Sequence, residues 1–178
     1  MEQLPSVALL ALGGTIAMAS DGAGKGVTPT LGASSIAAAL PGLEQLASVR
    51  AQTLAIKPSA SLTFDDVIAV ASCAREAVDG GAIGAVVTQG TDTLEETSYL
   101  LDLVWDRDAP LVVTGAMRSS AHPGADGPAN LLGAVLAAIS DECRELGCIV
   151  AMNDQIQAAR EIQKRHSSSP AAFASPNA

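Results

Sequence analysis

Short runs of apolar residues without a polar break stand at Val7 to Leu12, Ile83 to Val87 and Cys148 to Met152, and Leu111 to Thr114 adds another behind Pro110. Runs this short and continuous fit strands buried on both faces, as in a parallel sheet covered by helices on each side. Between them the periodicity changes. After Thr63 come Asp65 and Asp66, with apolar residues at 64, 67, 68, 71, 74 and 78, which predicts an amphipathic helix with a capping threonine, acid at its positive end and a stop at Gly80-Gly81. Leu94 to Trp105 and the Ala/Leu-rich stretch Asn130 to Leu146 predict two more helices; Ser34 or Ser35 caps a short one that runs to Leu40 before Pro41-Gly42. Val49 to Lys57 alternates weakly, as an edge strand does. Strands alternating with helices define an α/β fold: a doubly wound, mostly parallel sheet flanked by helices.

Two stretches break the alternation. Ala19 to Gly32 is polar, rich in Gly and Ser, and too long for a simple connector, which predicts a functional lid or a disordered segment. Ser167 to Ala172 is the first shift of composition toward a linker or a fraying terminus. The 178 residues are about one domain's worth, and with one Trp, one Tyr and two Phe the core has to be built from Ala, Val, Leu and Ile. A formal charge of −9 opposes nucleic acid or an anionic membrane as partner. Cys73, Cys143 and Cys148 are odd in number and lack zinc or redox spacing, so they read as reduced structural thiols. With a start that lacks the basic and apolar parts of a signal peptide, and no run of membrane-spanning length, the expected location is cytoplasmic.

The chemistry gathers where apolar runs end. Gly13-Gly14-Thr15 follows the first run and Gln89-Gly90-Thr91-Asp92 the second, at the carboxyl ends of strands, where open α/β sheets place their sites. Neither loop carries the glycine spacing or the Gly-Lys pair of a phosphate loop, so hydroxyl chemistry outranks a nucleotide. Two glycines ahead of Thr15 let the backbone turn sharply and present its hydroxyl, although a plain strand-to-loop turn has the same composition. Asp92 alone reads equally as a turn or helix-capping residue, Glu95 and Glu96 as first-turn acids that complement the helix dipole, and Lys164 alone as a solvated lysine. His122 and His166 read as surface residues with no metal role, and no cofactor or metal motif is present in the sequence.

Four ordered segments resemble the bacterial-type L-asparaginase family: Gly13-Gly14-Thr15-Ile16-Ala17; Gly90-Thr91-Asp92-Thr93-Leu94-Glu95-Glu96-Thr97; Val113 to Arg118 continuing through Asp126 to Leu131; and Met152-Asn153-Asp154. The resemblance implies hydrolysis of L-asparagine to L-aspartate and ammonia without a cofactor, through an acyl intermediate on Thr15. Thr91, Asp92 and Lys164 would handle the proton, and Ser59, Gly90, Thr91, Asp92 and Ala116 would border the substrate. It further implies a homotetramer in which a neighbouring subunit's C-terminal domain completes each site. An N-terminal catalytic domain is expected at 1–165 and the start of an interdomain linker at 166–178, with the C-terminal domain outside the chain.

The chain also departs from the family pattern. Thr28 stands where many members carry a tyrosine in the loop after the nucleophile, and the only tyrosine here is Tyr99; Gln89 replaces a histidine, and Ala60 a glutamine beside Ser59. Two other readings share these residues: an inactive fragment or ligand-binding domain that keeps the fold, and the glutaminase-like subunit of a transfer-RNA amidotransferase. Asparagine and glutamine differ by one methylene, worth only about 1 to 3 kcal/mol of discrimination, so the preference is not legible.

Overall fold

The computed structural model describes residues 3–20, 27–29 and 31–177. In chain order the elements are β1 (Ser6–Gly13), β2 (Met18–Ser20), β3 (Val27–Pro29), α1 (Ala33–Ala38), α2 (Leu43–Leu46), β4 (Ser48–Lys57), α3 (Phe64–Asp79), β5 (Gly84–Thr88), α4 (Leu94–Val104), β6 (Leu111–Thr114), α5 (Gly127–Ala138), β7 (Cys148–Met152), β8 (Gln155–Ala158), β9 (Gln163–Lys164) and β10 (Phe173–Ala174). One six-stranded sheet runs β4-β1-β5-β6-β7-β8, parallel except for β8, which returns antiparallel beside β7.

Alternation along β1 shows how the sheet is covered. Val7, Leu9 and Ala11 face a core with Ile36 of α1, Leu43 of α2 and Leu131 and Val135 of α5. Ala8, Leu10 and Leu12 face the other core, with Val67 and Val70 of α3 and Leu94 and Leu101 of α4. Both faces are therefore buried, which is why the central strands read as continuous apolar runs. Edge strand β4 keeps partly exposed positions along its length and alternates accordingly.

Helix α3 has the predicted cap in full. The Thr63 hydroxyl accepts the Asp66 N–H at 3.2 Å, and the Asp66 carboxylate accepts the Thr63 N–H at 2.9 Å. Lys57, the last residue of β4, bridges the same carboxylate at 2.9 Å and so ties the strand end to the helix start. The Lys57 hydrogen bond, with those from Thr63, lowers the Asp66 pKa to about 2.

Two expectations are corrected. The helix predicted from Asn130 to Leu146 begins earlier, at Gly127 with Pro128 in its first turn, and ends at Ala138. Ser140 then turns its hydroxyl to the Glu142 carboxylate and Glu145 takes a positive φ of 63°, so polar side chains compete with helix continuation. Part of the predicted polar loop pairs instead: Met18–Ser20 and Val27–Pro29 form an antiparallel ladder, while 21–26 and 30 lie outside the described residues. Asn153 and Asp154 both take positive φ, 52° and 59°, and form the two-residue turn of the β7–β8 hairpin, a conformation that asparagine and aspartate tolerate. Beyond it, β9 pairs with β10, and Phe173 is 5% exposed within the second core, so the chain is still packed on the domain there.

Candidate active site

The connection leaving β1 runs to the α1 side of the sheet and that leaving the neighbouring β5 runs to the α4 side, so a crevice opens between them at the strand ends. Glycines close the backbones onto one another around it. A β-carbon on Gly14, whose φ is 82°, would stand 2.1 Å from the Gly90 nitrogen; one on Gly13 would stand 2.7 Å from the Lys57 backbone, and one on Gly90 2.8 Å from the Ser59 hydroxyl. The loops after β1, β4 and β5 thus touch main chain to main chain or main chain to hydroxyl, with no room for a side chain between them. Thr15 opens a single tight turn after Gly14, where the Ala17 N–H donates to the Gly14 carbonyl at 3.0 Å. It is partly exposed and lines an open depression with Met18, Met117, Arg118, Ser119 and His122.

At the loop after β5, Lys164 Nζ donates to the Thr91 hydroxyl at 3.0 Å and to Asp92 Oδ1 at 2.9 Å. Thr91 is 7% exposed and the Lys164 side chain 16%, whereas the Asp92 side chain is 76% exposed. The Asp92 contact is therefore a clamp on geometry more than a source of stability, since water screens the carboxylate. Residues 73 positions apart along the chain are brought together here. Lys164 is held from a second point as well: the Glu95 carboxylate, in the first turn of α4, accepts its backbone N–H.

Ser59 is buried beneath this loop. Its hydroxyl accepts the Asp92 N–H at 3.1 Å, and its carbonyl accepts the Thr93 hydroxyl at 3.0 Å. The residue expected at the substrate is thus also the support that shapes the Thr91-Asp92-Thr93 turn. Ala116 is fully buried at the end of β6, beside Gly127, where a β-carbon would meet its own at 3.5 Å. Asp126 holds that loop by accepting the Met117 and Arg118 N–H groups at 2.9 and 2.8 Å. Asn130 links two strand ends: its Nδ2 donates to the Gly115 carbonyl after β6 at 3.0 Å, and its Oδ1 accepts the Asn153 N–H after β7 at 2.9 Å.

Thr28 falls on β3, paired with Ala19. Tyr99 is exposed on α4 and lines a different depression, with Phe64 and Leu103, so it does not stand in for the loop tyrosine at Thr15. Gln89 is fully buried, its amide donating to the Gly90 carbonyl at 3.3 Å. Both histidines are exposed. His122 shares a hydrogen bond of 2.8 Å with Ser119, and His166 accepts the Ser168 and Ser169 N–H groups. Sequence reasoning missed the Glu95 tether and the Asn130 link. An acid in a first helical turn already has a local purpose, so its longer reach leaves no separate signal.

A doubly wound sheet with two threonine loops at its switch point defines the class: the chain belongs to the asparaginase family, whose N-terminal model (Asparaginase, N-terminal) matches residues 6–178. It is 38% identical over 178 residues to a glutaminase-asparaginase of Pseudomonas fluorescens biotype A, covering 98% of this chain and 49% of that protein. Against L-asparaginase 2 of Escherichia coli K12 the identity is 36% over 176 residues, covering 98% and 50%. The crystal structure of a probable cytoplasmic L-asparaginase from Campylobacter jejuni superposes with a TM-score of 0.91 at 35% identity, over 97% of this chain and 53% of that one. The chain spans about half the length of the curated relatives it matches. No helix among the described residues is long and apolar enough to cross a membrane.

Proposed function

We propose that this chain is the nucleophile-bearing domain of an L-asparagine amidohydrolase. The observation that supports the reading is the packing of Gly14 on Gly90, which brings the loop that leads into Thr15 against the loop that carries the Thr91–Lys164–Asp92 cluster. Thr15 Oγ attacks the side-chain amide carbon and its proton passes to the threonine–lysine pair. The tetrahedral oxyanion is met by backbone N–H groups near Thr91, and collapse breaks the C–N bond as the nitrogen takes a proton and leaves as ammonia. Water then attacks the Thr15 ester, freeing L-aspartate and the hydroxyl. The sequence of steps balances with water alone.

Asp92, 76% exposed while pairing with lysine, is suited to hold the substrate α-ammonium. L-Glutamine is the second substrate of this reading, as the names of the glutaminase-asparaginase relatives suggest. Homo-oligomeric assembly belongs to the same proposal, supported by large apolar side chains at the surface such as Phe64, Leu103 and Ile156. A cytoplasmic location is supported by three free thiols, Cys73, Cys143 and Cys148, two of them buried.

The test is ammonia release from L-asparagine. Thr15→Ala is expected to abolish it with an unchanged melting temperature, and Thr15→Ser to keep a trace. Parent-like turnover in the alanine variant would move the nucleophile away from Thr15 and overturn the proposal.

A further inference from the structure

We propose that Glu95 is a positioning residue for Lys164: by accepting the Lys164 backbone N–H, its carboxylate fixes where the lysine amine meets Thr91 and Asp92. The catalytic consequence rests on the amidase reading above; the positioning itself does not.

Strand β9 is only two residues long and has β10 as its ladder partner. The Arg165 N–H donates to the Ala172 carbonyl at 2.7 Å, so that edge of the segment faces β10. Neighbouring N–H groups on a strand point to opposite edges, which turns the Lys164 N–H away from the ladder and toward α4. A half-buried donor there needs an acceptor, and Glu95 supplies a charged one.

The result is a grip at two ends of one residue by one short stretch of chain. Thr91 and Asp92 hold Nζ, and Glu95, three positions beyond Asp92, holds the backbone nitrogen. A lysine stem has four flexible carbons, and a point anchored only at its amine can be satisfied by many backbone positions. Anchoring the backbone as well removes that slack. Glu96, its neighbour in the same first turn, is exposed and remains available to complement the helix dipole, so Glu95 is not needed for that task.

The experiment compares the chain with its Glu95→Ala and Glu95→Gln variants by acetic anhydride labelling, reading Lys164 against Lys57 by mass spectrometry. Lys57 serves as the internal reference because its partner Asp66 lies in a different cluster. Loss of the acceptor in the alanine variant is expected to raise Lys164 labelling relative to Lys57 by roughly tenfold, the size set by one hydrogen bond to a charged group. The glutamine variant keeps an acceptor oxygen and is expected to label like the parent. Equal Lys164 labelling in parent and alanine variant overturns the inference; if the alanine variant does not fold, fast labelling in the glutamine variant does so. In asparagine hydrolysis, Glu95→Ala is expected to lower kcat with KM little changed and to cost nothing further in a Lys164→Met background. An equal cost in that background means a structural role and overturns the proposal, whereas a parent without amidase activity overturns only the functional reading, because the labelling result is independent of it.

Discussion

Replacing Gly14 by alanine introduces a carbon 2.1 Å from the Gly90 nitrogen at a φ of 82°, and Gly42 offers a control for positive φ without the overlap. Gly42 has nearly the same φ, 83°, and a carbon added there meets nothing within 4 Å. Gly42→Ala, at ψ −2°, carries the left-handed penalty of about 1 to 2 kcal/mol, and Gly14→Ala, at ψ −172° in a region open essentially to glycine alone, carries a backbone strain at least as large, about 1 to 3 kcal/mol. Only Gly14→Ala adds overpacking, about 1 to 3 kcal/mol when backbones must separate. At about 2 to 4 °C per kcal/mol for a domain of this size, Gly14→Ala is expected to melt about 2 to 12 °C below Gly42→Ala. Relieving the overlap means moving the β1 loop from the β5 loop by about 1 Å, and a displacement of that size at a reacting group can cost roughly a hundredfold in rate. Calorimetry of the two variants, with ammonia release from L-asparagine, checks both halves. Equal melting temperatures and equal turnover would refute the argument that backbone contact at Gly14 assembles the crevice.

Two further outcomes follow from the geometry. Asp92→Asn and Lys164→Met are each expected to lower turnover strongly, and the double variant to be little worse than either, because groups acting as a unit lose their effect together; a kinetic double-mutant cycle with additive losses would reassign Asp92 to substrate binding alone. The Asp66 pKa is depressed to about 2 from its ordinary value of 3.8, so its capping and Lys57 contacts contribute fully above the unfolded value and fade as pH falls through about 2. Following the Asp66 carboxyl carbon by NMR between about pH 5 and pH 1 is expected to show that midpoint in the parent and one nearer the ordinary value in Lys57→Met; identical midpoints would exclude the ion pair as a cause.

What the sequence determined by itself was whatever burial writes into a local pattern. Continuous apolar runs marked β1, β5, β6 and β7 because both faces of those strands are covered, and the Thr63-to-Asp66 spacing marked the start of α3 because a capping box is complete within four residues. The glycines around Thr15 and Thr91 signalled tight loops, and the order of the motifs carried the family resemblance. Tertiary structure alone decided which loops touch. The closeness of Gly14 to Gly90 and of Gly90 to Ser59, the reach of Lys164 back to Thr91, and the tether from Glu95 join residues far apart along the chain, and no local periodicity encodes such pairings. The same holds for the strands after Met152. Gln155–Ala158 and Gln163–Lys164 are short and mostly exposed, so they become strands through the partners that β7 and β10 provide rather than through any buried face of their own.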